Sequence, residues 1–280
     1  MSMNAILLLL CMVVTGLFPT VCFSAELVLR VKDGALIPFD QMIDDVKKAD
    51  IIFVGEVHNV SKHHSDQLAV IKAFHEADIP MAVGLEMFRA DSQDRLDAWT
   101  GGRLSLDRFL SAYRDNWSLP WPLYQDVFLY AREHELPLIG LNISDDVAAK
   151  VARQGFASLS AAEKASLPPG VSCRVDDKYM QFIRQAYAEH SLSDRSFLHF
   201  CEAQMVWDKS MAWHLIAYRK KNPKRIIVVL AGVGHAWKRG IAEQVNLESK
   251  LSLRSILPYL PGQIDQQRVT TRDADYLLLP

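Results

Sequence analysis

The sequence predicts an α/β fold: a mostly parallel central sheet with helices on both faces and a helical excursion between strands. Three observations predict it. Residues 51–54, 81–85, 137–141 and 226–230 are apolar runs that do not alternate, as strands covered on both faces require. Segments of helical period separate them, the order that builds parallel crossovers. Between the third and fourth runs, residues 144–222 hold several helical segments and no convincing strand.

The elements follow in order. Residues 5–18 are apolar apart from Thr15 and Gly16, too short a run to span a bilayer comfortably and placed where a secretory signal has its apolar stretch. Cys22 and Ser24 are small enough for the recognition positions, so cleavage is expected after Ser24, although no Lys or Arg precedes the run. Residues 1–24 are therefore read as a signal peptide and 25–280 as one α/β domain, with export to a periplasm expected. An uncleaved anchor is the alternative, which leaves membrane association open. Cys11 follows Leu10 and Cys22 follows Val21, neither the small residue that lipidation wants.

Residues 26–31 and 35–39 flank Asp33-Gly34 and read as a hairpin, with a short helix over 40–48. After the first buried run, Leu68, Ile71, Ala73 and Phe74 mark a helix over 64–77. Short helices are expected at 91–99 and 106–113, and another from Trp121 to just before Pro137. The longest helix, 196–221, starts near Asp194 and stops before Pro223. A helix near 240–246 and strands at 253–257 and 276–278 complete the chain. The excursion 144–222 is read as a lid or an interface.

The charge balance, 31 basic against 33 acidic residues, excludes a dedicated nucleic-acid binder and gives no polybasic membrane surface. With the signal removed, Cys173 and Cys201 remain. Export favours their oxidation. A simple helical hairpin turning near 191–193 would nevertheless set them far out of level at ~1.5 Å per residue, so the hairpin predicts two separate cysteines. Neither belongs to a CxxC pattern.

In parallel sheets, ligands bind beyond the carboxyl ends of the strands. The four runs lead there to Glu56 and His58, Glu86, Asn142, and His235. Alone, each reads as a solvated loop group or a helix cap, and the neighbouring glycines as residues that permit positive φ. Together they read as one polar site. Glu56 and His58, two apart on an extended segment, face the same way, and a carboxylate beside an imidazole suits either general-base work or support of a metal. Glu56, His58, Glu86 and His235 are thus candidates for catalysis by a hydrolase, or for ligation of a divalent metal. On the long helix, Gln204 and Asp208 share a face with Met211 and form a second wall of the pocket.

The motifs GExH (55–58), GLEMF (84–88), the Tyr113/Trp117/Trp121 stretch, GLN (140–142), AQxxWDxxMA (203–212) and GxGH (232–235) resemble the ChaN-like haem-binding uptake family. That family is similar to the TIKI-type metalloproteases and, more distantly, to the erythromycin esterases. The resemblance implies an exported haem-binding protein of iron uptake or storage, a homodimer when loaded, with each iron held by a Tyr and the propionates by His and Lys groups. Candidates in the excursion are Tyr179 and Tyr187, with Lys178 and His190 nearby; Tyr179, Ile183, Tyr187 and His190 also share a face that could simply pack in the core. Carried over from the esterase-like relatives, His58 would be a base, with Glu56, Glu86 and His235 orienting or coordinating.

Overall fold

The computed structural model describes residues 26–188 and 194–280, with only the backbone of 186–188 and 194–196. The proposed signal peptide and His190 lie outside the described residues. Eight strands form one sheet: β1 (Leu27–Arg30), β2 (Ala35–Pro38), β3 (Ile51–Glu56), β4 (Met81–Arg89), β5 (Leu138–Asn142), β6 (Ile226–Gly232), β7 (Leu253–Pro258) and β8 (Tyr276–Leu278). Their order is β2-β1-β8-β7-β3-β6-β4-β5. The pairings from β8 to β5 are parallel, and only those of β1 with β2 and with β8 are antiparallel.

The non-alternating runs behave as the double coverage requires. Successive residues point to opposite faces of a strand. Ile51 and Phe53 of β3 thus join one apolar cluster with Ile227 and Val229 of β6. Ile52 and Val54 join the other with Val228 and Leu230. Burying each such side chain contributes ~1.5–3 kcal/mol, so both faces hold the sheet. One face is covered by α1 (Phe39–Val46), α2 (Ser61–Glu76), α3 (Gln93–Thr100), α4 (Leu106–Asn116) and α5 (Trp121–Glu133).

The excursion holds α6 (Asp145–Gln154), α7 (Ala161–Ala165), α8 (Asp177–Ala188) and α9 (Asp194–Lys221). Met205, Val206, Met211, Ala212 and Leu215 of α9 are buried in the same cluster as Ile227 and Val229, making this helix a layer of the core. The turn α10 (Val233–Ala236) and α11 (Ile241–Glu248) complete that side. Among the described residues, no helix is long and apolar enough to cross a membrane.

Cys173 and Cys201 are disulfide-bonded, with Cα atoms 5.5 Å apart, which corrects the hairpin geometry expected from sequence. The reason lies before α8. Residues 171–176 are not helical, and the chain just ahead of them runs along α9, where Lys209 Nζ donates to the carbonyls of Pro169 and Gly170 at 3.1 and 3.0 Å. Cys173 therefore meets α9 from this strap and not from the far end of a level hairpin.

Candidate functional site

β3, β6 and β4 are adjacent in the sheet, and β3 pairs Glu56 directly with Gly232 of β6. This register gathers the predicted strand-end residues. Glu56 closes β3, Glu86 lies within the longer β4, and His235 sits on α10 just past β6. Glu56 and Glu86 are both buried.

Glu56 is the best-held carboxylate of the site. Its Oε1 accepts from the Tyr124 hydroxyl at 2.6 Å and faces His58 Nδ1 at 2.7 Å. Its Oε2 lies 3.0 Å from His64 Nδ1. Burial pushes the Glu56 carboxyl up, but the contacts from His58 and His64 outweigh it and lower its pKa to about 2. His64 is buried, and its Nε2 donates to the His58 carbonyl at 3.0 Å. Its Nδ1 thus approaches the Glu56 carboxylate while its Nε2 is bonded to a carbonyl. Burial lowers the His64 pKa and Glu56 raises it, with a net upward shift.

His58 rests on Gly232. A Cβ there would stand 2.8 Å from His58 Cε1 and 2.9 Å from Nε2. Gly232 has φ −54°, and Gly55 and Gly234 are likewise absent from the positive-φ residues, which corrects the expected role of these glycines. Space, not backbone handedness, requires Gly232. Burial lowers the His58 pKa, whereas the bond to Glu56 and the charge of Glu86 raise it further, so the net shift is upward.

His235 forms the opposite dyad. Its Nδ1 lies 2.7 Å from Asp208 Oδ1, and its Nε2 lies 3.8 Å from Glu86 Oε1. Burial disfavours the cation, but Glu86 and Asp208 raise the His235 pKa to about 9. Glu86 Oε2 accepts the Gly232 N–H at 2.5 Å, which ties β4 to β6. Gln204 Nε2 approaches the His235 ring nitrogens at 3.2 and 3.3 Å, so the helix face read from sequence, Gln204 and Asp208, does form a wall. Asn142 reaches the site indirectly, donating to the Glu86 carbonyl at 2.8 Å.

Tyr179 is fully buried, and its hydroxyl donates to Asp208 Oδ2 at 2.6 Å. Burial and the Asp208 carboxylate push the phenol well above its ordinary pKa, opposite to what a tyrosinate needs. Lys178 Nζ donates to Asp273 at 2.6 Å and to the Arg268 carbonyl at 2.7 Å. Tyr187 lies in the last turn of α8. Beside α8 is a groove of about 550 Å³ whose apolar lining includes Phe182, Val233, Trp237 and Ile264, with Lys178 and Arg268 among its polar residues.

The expected divalent metal finds no support. Among the described residues, no group of three or more His, Cys, Asp or Glu side chains is arranged to hold a metal ion. The imidazoles and carboxylates are spent on one another: His58 on Glu56, His235 on Asp208, and Glu86 on a backbone N–H.

Sequence reasoning missed His64 and Tyr124, which come from α2 and α5 and meet Glu56 only through packing. The histidine-rich stretch His58–His63–His64 was the available signal.

Residues 42–245 match the family described as haem-binding uptake, Tiki superfamily, ChaN. A solved structure described as cofacial heme binding to ChaN of Campylobacter jejuni is similar at a TM-score of 0.71 and 21% identity, over 91% of this chain and 96% of that one. An erythromycin esterase mutant in its open conformation is similar at a TM-score of 0.50 and 14% identity, over 79% of this chain and 74% of that one. At these identities the likenesses show the fold. No curated protein matches the sequence.

Proposed function

The chain belongs to the ChaN haem-binding uptake family of the Tiki superfamily, and from that premise we propose that it is an exported, periplasmic haem-binding protein serving iron uptake or storage. The match over residues 42–245 is the observation that carries the reading. The groove beside α8 suits part of the ligand. Phe182, Val233, Trp237 and Ile264 offer an apolar wall to a macrocycle, and Lys178 and Arg268 are cations for its carboxylates. Haem would bring a ferric centre that takes a phenolate ligand.

Ligation by Tyr179 would require its hydroxyl to leave Asp208. The side chain of Tyr187 lies outside the described residues. The test is a haemin titration of the purified chain followed by absorbance. A saturable Soret band is expected, altered by one of Tyr179→Phe and Tyr187→Phe. Lys178→Ala should weaken binding roughly tenfold, as loss of one exposed charge-assisted contact would. Absence of a saturable band in the unmodified protein would sink the reading. The Campylobacter relative is described as binding haem cofacially; for this chain the corresponding state is a haem-loaded homodimer. Export is tested by fractionation of cells and by the N-terminus of the mature chain, expected at Ala25.

A further inference from the structure

We propose that the cavity between the strap before α8, the helix α11 and the loop from β7 to β8 binds a small hydroxylated organic anion. Arg174 and Arg272 hold its carboxylate or phosphate oxygens, and Gln244 and Asn246 bind its hydroxyl groups.

The cavity measures about 690 Å³, room for a small organic molecule and far more than an inorganic ion needs. Four cationic side chains line it, Arg174, Lys238, Arg239 and Arg272, against two carboxylates, Asp176 and Glu243. Two of the cations are already spent within the chain. Lys238 Nζ pairs with Asp275 Oδ1 at 2.8 Å and donates to the Thr271 carbonyl at 2.9 Å. Arg239 pairs through Nε with Asp273 Oδ1 at 2.7 Å and through Nη1 with Asp176.

The other two cations are free. Among the described residues, the Arg174 and Arg272 guanidiniums have no hydrogen-bond or ion-pair partner. Such planar forks match carboxylate and phosphate oxygens two at a time. Glu243 is the one lining carboxylate left without a cation, and it accepts from hydroxyl groups while repelling a bare anion. The wall therefore favours an anion that also carries hydroxyls.

Gln244 supplies an independent observation. It is only 6% exposed, it lines the cavity, and its amide makes no hydrogen bond among the described residues. A buried amide without a partner lowers stability. A ligand in the cavity gives it one.

The rim is set before any ligand arrives. Cys173, the neighbour of Arg174, is bonded to Cys201 of α9. Arg239 joins Asp176 of the strap to Asp273 of the β7–β8 loop, so one guanidinium ties together the two walls that carry Arg174 and Arg272. Groups already held in place lose less freedom on binding. The cavity shares no lining residue with the groove beside α8. Its one aromatic lining residue is Tyr179, whose hydroxyl is turned to Asp208, so it offers no apolar wall to a macrocycle.

The test is calorimetric titration of the full chain at low ionic strength with citrate, a hydroxylated carboxylate, and with glucose 6-phosphate, a hydroxylated phosphate. One saturable site per chain is expected for at least one of them, and the tighter of the two identifies the anionic group. Glucose, which lacks the charge, and sulfate, which lacks the hydroxyls, should bind at least ~10-fold more weakly. Arg174→Ala and Arg272→Ala should each weaken binding about tenfold or more, the loss expected of a charge-assisted contact. Lys220→Ala, which removes the same charge from the last turn of α9, should leave it unchanged. Gln244→Leu should weaken binding without lowering the melting temperature, whereas loss of an amide that serves the fold would lower it. No saturable binding of either anion, equal losses in Lys220→Ala and Arg174→Ala, or displacement of the bound anion by one equivalent of haemin would each overturn the proposal.

Discussion

At the scale of single residues, the histidines and carboxylates of the sheet edge set opposite limits on pH. Glu56 is lowered from 4.5 to about 2, so its contribution is complete above pH ~4.5 and is lost as pH falls toward about 2. His235 is raised from 6.5 to about 9, so its contribution is complete below pH ~6.5 and is lost as pH rises through about 9. Folding stability measured by denaturant should therefore be greatest between about pH 5 and 6.5 and decline on both sides. In Glu56→Gln the acid-side decline should shrink; an unchanged acid limb would show that Glu56 does not carry it. Gly232→Ala is a second probe. The added Cβ stands within 3 Å of the His58 ring, so the ring must leave Glu56 or the backbone must yield, at about 1–3 kcal/mol. Loss of the downfield Nδ1–H proton resonance of His58, with the fold kept, is the expected outcome.

At the scale of elements, the sequence was most readable where one physical cause dominates. The continuous runs around Phe53, Val83, Ile139 and Val228 have no polar face and could only be strands covered on both sides. The ends of those strands placed Glu56, Glu86 and His235 on one edge because parallel strands share a carboxyl end. Gln204 and Asp208 were legible because helix spacing aligns them. His64 and Tyr124 were not, because nothing in their own segments requires them to meet a carboxylate on β3. The disulfide failed for a related reason: helix length foretells level, but not the path of the non-helical strap that carries Cys173 to α9. That strap closes a loop with a sequence separation of 28. Chain-entropy reasoning assigns such a cross-link ~3–4 kcal/mol. Cys173→Ser with Cys201→Ser should lower unfolding free energy by about that amount, read from chemical denaturation. A loss below about 1 kcal/mol would mean that the packing of α9 alone holds the strap.

At the scale of the whole molecule, the sheet edge and the groove place different demands on the chain. Glu56, His58, Asp208 and His235 find hydrogen-bond or ion-pair partners within the chain. The groove beside α8 is different. At about 550 Å³ and lined by Phe182, Trp237 and Ile264, the groove would, under the proposed function, cover one face of a flat macrocycle and leave the other toward solvent. An exposed apolar face is costly in water, and a second loaded copy removes that cost when the two faces stack. Haemin should therefore shift the protein from monomer to dimer, and the shift should saturate at one haemin per chain. Light scattering on the eluting protein at rising haemin ratios measures both quantities together. Trp237→Ala, which takes the largest ring from the groove, should weaken haemin binding and dimerisation together. A chain that binds haemin at one equivalent yet stays monomeric would break the link between ligand and assembly, and would require the open face to be covered by the chain itself.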